Sequence, residues 1–311
     1  MLQASFRPGR QIAALRSYLR LRECHLEYAA AHIQHMQKAL TFINLQLHHV
    51  VSDITGETGI KIIRAIVGGE RDPRVLAKMR NYRCKASEQT VQAALAGNYQ
   101  PEHVFALKQA LNLYDFYQTR VEECDTQIEQ SLASLTAEKS LPETPLPEPR
   151  HRTRQSNTVN FDVRPPLYQL AGIDLTQIHG IGPYLALRLI SECGTDLSRW
   201  PSAKHFTSWL CLSPGCKISG GKILSAHTRK TINRVTAHLR WAAVAVSRTH
   251  TALGAFLTDR KGQGCHSDRT QNSSPLLQHN ALWVGLPRPW CQLLRATISR
   301  TGRQAITPPR C

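Results

Sequence analysis

From Ile12 to Leu47, positions three and four residues apart form one continuous stripe: Ile12, Leu15, Leu19, Arg22, Leu26, Ala29, Ile33, Met36, Leu40, Ile43 and Leu47. All but Arg22 are apolar, and no proline or glycine interrupts them. Such a stripe predicts a long helix that packs along a second one. Pro101 suits the first turn of that second helix, because a helix start has no use for the missing N–H. Its seam runs through Leu107, Leu111, Tyr114, Val121, Ile128, Leu132 and Leu135, interrupted by Gln118 and Asp125. The two helices predict a long antiparallel coiled-coil hairpin, with Glu122, Glu123 and Asp125 expected on its solvated outside.

Between the long helices lies a compact insert. It has a Gly-Glu-Thr-Gly turn at 56–59, a short helix through Ile60, Ile63 and Ile66, a stop at Gly68-Gly69, and short helical stretches near 73–80 and 87–95. The pattern predicts a small helical cap, whose Arg71, Arg74, Lys78, Arg80, Arg83 and Lys85 leave room for phosphate contacts. Prolines at 142, 145, 147, 149, 165 and 166 among charged and small polar residues read as a stiff basic linker with Arg150, Arg152 and Arg154. A compact domain of four or five short helices follows, with little strand signal. The expected fold class is therefore all-α: residues 1–139 the hairpin with its cap, 140–166 the linker, 167–264 a helical domain, and 265–311 an irregular tail.

Charge narrows the choice of partner. The 311 residues carry 39 Lys+Arg against 22 Asp+Glu, a net charge of +17 and a pI near 9.9. A field of that sign gathers polyanions, nucleic acid first and an anionic membrane second. No apolar run reaches the roughly 18–20 residues of a membrane span, and the first residues lack the apolar stretch of a signal peptide. The reading is a soluble cytoplasmic protein with no membrane partner. Nine cysteines stand apart with no Cys-x-x-Cys pair; even the closest, Cys211 and Cys216, have no further ligands nearby. Reduced thiols are expected rather than disulfides or a metal site.

Two stretches carry candidate chemistry. In the first, His179-Gly180-Ile181-Gly182-Pro183 interrupts two amphipathic helices and resembles a helix-hairpin-helix. Its glycines permit a tight turn with exposed backbone N–H groups, and the following helix adds the positive end of its dipole. An ordinary helical hairpin fits that spacing equally well. In the second, residues 215–258 contain seven Lys+Arg and no acid, the composition of a surface that reads a nucleic-acid backbone. Within it Ser219-Gly220-Gly221-Lys222 sets a hydroxyl on a turn near Lys217 and Lys222, whose charge would favour ionisation of the serine or stabilise a phosphate. On spacing alone such a segment is usually just a turn.

Three segments in order, "IHGIGPYLALRLISECG", "FTSWLCLSPGCKISGGKILSAHTRKTINRVTAHLRWAAVAVSR" and "TALGAFLTDRKGQG", resemble the C-terminal transposase domain of the insertion-sequence 110 family, the DEDD-type DNA transposases. The long helices with "SFRPGRQIAALRSYLRLRE" resemble that family's segment joining a RuvC-like domain to the C-terminal one, so the resemblance spans about residues 1–264. It implies DNA strand cleavage and rejoining by a serine nucleophile, here Ser219, with Ser225 as the weaker choice. Lys217, Lys222, Arg229, Lys230, Asn233, Arg234 and Arg240 match the basic part of the pattern, and His179, Gly180, Gly182, Gly220 and Gly221 complete the expected DNA-binding set. It also implies Mg²⁺ held by four carboxylates of the RuvC-like domain, and an element-encoded guide RNA.

The departures shape the expectation. The chain starts where the RuvC-like domain would already be ending, so those four carboxylates have no counterpart and no metal or other cofactor is expected here. Beyond Asp268 there is no acid, and from residue 262 no lysine. One permitted choice of codons for residues 265–275, read one base later, gives Ala-Thr-Ala-Thr-Ala-Arg-Lys-Ile-Ala-Val, which is similar to the family's helical continuation. The expectation is that a frameshift near Gly264 accounts for the tail. The expected protein is a transposase fragment in the bacterial cytoplasm at the nucleoid, unable to transpose alone. The alternative is a non-catalytic nucleic-acid binder that self-associates, or pairs with an intact transposase, through the coiled coil.

Overall fold

The computed structural model describes residues 6–150, 157–212, 217–225, 230–251 and 255. Its elements are helices α1 (Arg10–Phe42), α2 (Leu47–Val50), α3 (Glu57–Val67), α4 (Pro73–Lys78), α5 (Glu88–Ala94), α6 (Pro101–Ala137), α7 (Arg164–Ala171), α8 (Pro183–Cys193), α9 (Ala203–Trp209) and α10 (Arg234–Ser247). A 3-10 turn spans Leu175–Gln177, and strands β1 (Lys217–Ser219) and β2 (Lys222–Ser225) form an antiparallel hairpin. The fold is all-α as expected, with this one small hairpin added. The chain divides into two compact units, residues 20–127 and residues 1–19 with 128–311. The frameshift reading falls on residues 265–311, outside those described.

In the unit of residues 20–127, the predicted stripes of α1 and α6 are buried together with the cap. Met36, Leu40 and Ile43 share a core with Leu107 and Leu111 of α6, Ile62, Ile63 and Ile66 of α3, and Leu76 and Val91 of α4 and α5. The helices run in opposite directions: Arg22 meets Asp125, and the Phe42 ring lies 5.2 Å from the His103 ring. The stripe expected to continue to Leu47 breaks earlier. Asn44 takes a left-handed conformation (φ 59°) and the Leu45 N–H donates to the Leu40 carbonyl at 2.8 Å, a hydrogen-bonded stop that ends α1 at Phe42.

Asp125 is not on the outside, as the sequence pattern led us to expect. It is 3% exposed and its carboxylate receives the Nε–H of Arg22, itself 1% exposed, at 2.5 Å. Arg22 is the polar interruption of its stripe and Asp125 one of the two in the other seam, and these two face one another as a buried ion pair. Glu122 and Glu123 are exposed as expected.

In the other unit, Leu15, Leu19, Ile128 and Leu132, from the ends of the long helices, share one core with α7, α8, Phe206, Leu210 and Leu239. The sequence reading drew a boundary at 139, but these ends belong to the C-terminal core. The linker reading also needs correction. Val159 and Val163 are buried in that core, Arg164 donates to the Pro147 carbonyl at 2.8 Å, and Gln177 donates to the Glu148 carbonyl at 2.9 Å. Tyr168 and Thr144 join hydroxyl to hydroxyl at 2.6 Å. A few valines and side chains from the domain hold the proline-rich strap down, although its own composition could not.

Candidate nucleic-acid interface

The site begins at Asp174, whose carboxylate organises the turn that leads to His179. It is 5% exposed and accepts from the Arg164 guanidinium at 2.6 Å, the Thr176 hydroxyl at 2.6 Å, the Thr176 backbone N–H at 3.0 Å and Gln177 at 3.1 Å. Burial alone lifts its pKa, but these donors outweigh burial and hold the carboxyl below its ordinary value. Arg164 stands at the first position of α7, so one ion pair ties that helix to the turn. The element before His179 is a single 3-10 turn rather than a full amphipathic helix, and α7 ends at Ala171.

His179 is half-buried and its Nε2 lies 2.6 Å from Nη1 of Arg150. That contact ties the loop to the proline-rich strap. Gly180 has φ +84°, and a Cβ added there would sit 2.3 Å from Cγ2 of Val246 and 2.8 Å from the Ala242 carbonyl oxygen. This glycine therefore serves close packing of the loop against α10 as much as the turn itself. Gly182 is extended and caps α8, its carbonyl accepting from the Ala186 N–H at 2.9 Å. The first turn of α8 contains no acid.

The Ser-Gly-Gly-Lys segment is a two-residue β-turn. Ser219 stands opposite Lys222 in the ladder, and Gly220 (φ +54°) and Gly221 (φ +72°) both have positive φ, as a type I′ hairpin turn requires. Among the described residues nothing lies within 4 Å of a Cβ built on either glycine. Ser219, both glycines and Lys222 are exposed. The hairpin therefore presents a hydroxyl beside a cation on a protruding tip. Lys217 and Ser225 pair across the base of the hairpin as backbone partners. Little in seven residues without strong alternation marks them as strands, which is why the sequence pattern read only a turn.

α10 supplies the second part of the surface. Val235, Thr236, Leu239, Ala242, Ala243 and Val246 are buried, and the Thr236 hydroxyl donates to the Leu210 carbonyl at 2.8 Å. The opposite face exposes Arg234, Ala237, Arg240, Trp241, Ala245 and Arg248, with Trp241 74% exposed. Lys230 is exposed just before the helix. Arg234 opens a helix whose first turn contains no acid, the reverse of what the helix dipole favours. The Asn233 Oδ1 caps α10 by accepting the Val235 N–H at 2.9 Å. Arg229 lies outside the described residues.

Sequence reasoning missed Trp241 and Arg248 as surface residues. The signal was present, because the 3.6-residue period that buries Leu239 and Val246 turns positions 234, 241, 245 and 248 outward. His238, on the same helix and more buried, has its pKa pushed down to about 4, first by burial and then by the charges of Arg188 and Arg234. Its ring is neutral near pH 7.

Comparison with known families points the same way. Residues 174–257 match the model of the Transposase IS116/IS110/IS902 family. The match starts at Asp174 and runs through the loop, α8, the hairpin and α10, about a quarter of the chain. This stretch is similar to the transposases of that family, and it contains Ser219 and every expected DNA-binding residue. No curated protein and no solved structure matches. Among the described residues, no group of three or more His, Cys, Asp or Glu side chains could hold a metal ion, and no helix is long and apolar enough to cross a membrane. Cys216 of the closest cysteine pair lies outside the described residues.

Proposed function

We propose that the chain is a DNA-binding protein of an insertion-sequence transposase, with the hairpin tip and the outer face of α10 gripping the phosphodiester backbone and Ser219 placed as the nucleophile. The observation that supports this best is the exposed Ser219–Lys222 tip within a stretch similar to a transposase family. Lys222, Lys230, Arg234 and Arg240 neutralise phosphates, and the N-terminal dipole of α10 adds to them. In the catalytic step Ser219 Oγ forms a bond to phosphorus as a bridging P–O bond of the strand breaks. The hydroxyl proton is lost and the departing sugar oxygen takes one up, so the ester is conserved for rejoining. In this reading the chain binds DNA by itself and takes part in strand transfer together with an intact transposase.

The test is a denaturing gel of full-length protein incubated with labelled element-end DNA, Mg²⁺ and a guide RNA, with intact transposase added in a second arm. The reading predicts a covalent protein–DNA adduct only in the second arm, formed by wild type and lost in Ser219→Ala, while DNA affinity is unchanged. An adduct that persists in Ser219→Ala would contradict the nucleophile assignment. Equal affinity with no adduct in either arm would leave the non-catalytic binder as the correct reading. Self-association through the long helices is part of the proposal, supported by the exposed Leu21, Tyr28 and Phe42 at heptad spacing on α1 and Phe105, Leu113 and Phe116 on α6. Sedimentation of Tyr28→Glu/Phe116→Glu against wild type tests it.

A further inference from the structure

The cap carries a second basic surface that the proposed function does not use. Between Arg71 and Lys85 the chain has six bases and one acid, Asp72. The structure divides the bases into two kinds. Arg71 and Arg80 are spent internally: Arg71 donates to the Ile66 and Glu70 carbonyls and lies over the Tyr99 ring, and Arg80 donates to the Cys84 and Ala86 carbonyls at 3.3 Å. The loop they hold is pinned further by Asn81, which takes part in hydrogen bonds to Thr58 at 2.9 Å and Glu57 at 2.6 Å.

The other four cations, Arg74, Lys78, Arg83 and Lys85, are exposed. Arg74 and Lys78 share one face of α4, four residues apart. A tight turn closed by the Cys84 N–H on the Asn81 carbonyl at 2.9 Å puts Tyr82 and Arg83 at its two corners. Tyr82 is 80% exposed, with the Arg83 guanidinium 5.3 Å from its ring centroid and Nε donating to its hydroxyl at 2.8 Å. The neighbouring carboxylates are otherwise engaged: Glu57 holds Lys61 and Asn81, Glu70 accepts two backbone N–H groups, and Asp72 caps α4 with Arg74 only 3.7 Å away.

We infer that this face of the cap, Arg74, Lys78, Tyr82, Arg83 and Lys85, is a docking platform for single-stranded nucleic acid. A rigid loop with cations around one aromatic ring is what an unpaired strand needs: phosphates meet the cations, and a base unstacked from its neighbours lies on the tyrosine–arginine pair. Duplex DNA has no free base face to offer Tyr82, and a membrane would need an apolar stripe that this loop lacks. The inference rests on the chain being a nucleic-acid protein, but not on Ser219 or α10.

The experiment measures binding of full-length protein to fluorescein-labelled 20-nucleotide RNA, the same sequence as single-stranded DNA, and duplex DNA, by anisotropy across a salt series. Arg74→Ala/Lys78→Ala/Arg83→Ala/Lys85→Ala should weaken single-strand binding at least about tenfold and flatten its log–log salt slope by about two to three, with duplex binding nearly unchanged. Tyr82→Ala should weaken it by about tenfold, whereas Tyr82→Phe retains it. A preference for RNA or for DNA names the source of the strand and supports the platform in either case. Single-strand affinity unchanged in the charge variant, Tyr82→Ala equal to wild type, or equal losses for duplex and single strand would overturn it. Lys222→Ala/Lys230→Ala/Arg234→Ala/Arg240→Ala keeps the two proposals apart, because it should reduce duplex binding and leave the cap's strand binding intact.

Discussion

Replacing Gly180 by Ala tests how the loop before α8 is held. The change adds one carbon, but φ there is +84°, and the new atom would stand 2.3 Å from Cγ2 of Val246 and 2.8 Å from the Ala242 carbonyl oxygen. The left-handed backbone alone costs an L-residue about 1–2 kcal/mol. The Val246 clash can be relieved by rotating a side chain against its preferred rotamer, about 1 kcal/mol. The carbonyl belongs to the backbone of α10 and must be displaced with its helix. Together these predict a loss of about 3 kcal/mol or more for Gly180→Ala. Gly220→Ala is the control: it carries the same kind of φ, +54°, with nothing among the described residues within 4 Å, and should lose about 1 kcal/mol. Adding Val246→Ala to Gly180→Ala should recover only part of the clash, since the Ala242 contact remains. Urea unfolding followed by circular dichroism measures all four proteins. Equal losses for Gly180→Ala and Gly220→Ala, or full recovery in the double variant, would refute the packing role assigned to this glycine.

Two further outcomes follow from buried charge. Asp125→Asn strands the Arg22 guanidinium without its counter-charge and should cost about 3–5 kcal/mol, whereas Arg22→Met/Asp125→Leu should lie near wild type or above it in urea unfolding; the reverse order would deny that the pair is buried. His238 titrates near 4 in the fold against about 6.5 in the unfolded chain, so the unfolded state binds the extra proton between those values. Stability should be full above pH 6.5 and decline as the pH falls toward 4, by at most about 3 kcal/mol, and His238→Gln should flatten that decline in urea midpoints measured at pH 7 and pH 5.

The long elements were legible because one period sets both their backbone and their burial. The stripe from Ile12 to Ile43 is buried or half-buried throughout, and the cap helices fall where Ile63, Pro73 and Ser87 placed them. The errors arose where a distant residue decides. Asp125 looked like an outward acid until Arg22, the one polar member of the opposite stripe, is seen to face it, and that pairing of interruptions is a signal that reading each helix alone discards. The proline-rich strap looked like a free linker because two of its anchors, Tyr168 and Gln177, lie in the following domain.

At the candidate site, Ser219 and its two glycines were legible as a turn, and their positive φ values are what Gly-Gly predicts. Their strands were not, because seven residues between two helices carry too little alternation. The cap made by Asn233 was not legible, because side chains suited to phosphate also suit helix caps and the start of α10 was not fixed by the sequence pattern. Gly180 had a double role for the same reason: the turn it permits is local, while the contact with Val246 exists only once α10 has folded against it.

The claim that the hairpin tip and α10 grip a phosphodiester backbone is tested most directly by the salt dependence of duplex DNA binding. Anisotropy titrations of full-length protein from 50 to 300 mM NaCl should give a steep log–log slope, and Lys222→Ala/Lys230→Ala/Arg234→Ala/Arg240→Ala should reduce it by about three to four. A protein that ignores duplex DNA at the lowest salt, or a variant whose slope matches wild type, would contradict the account.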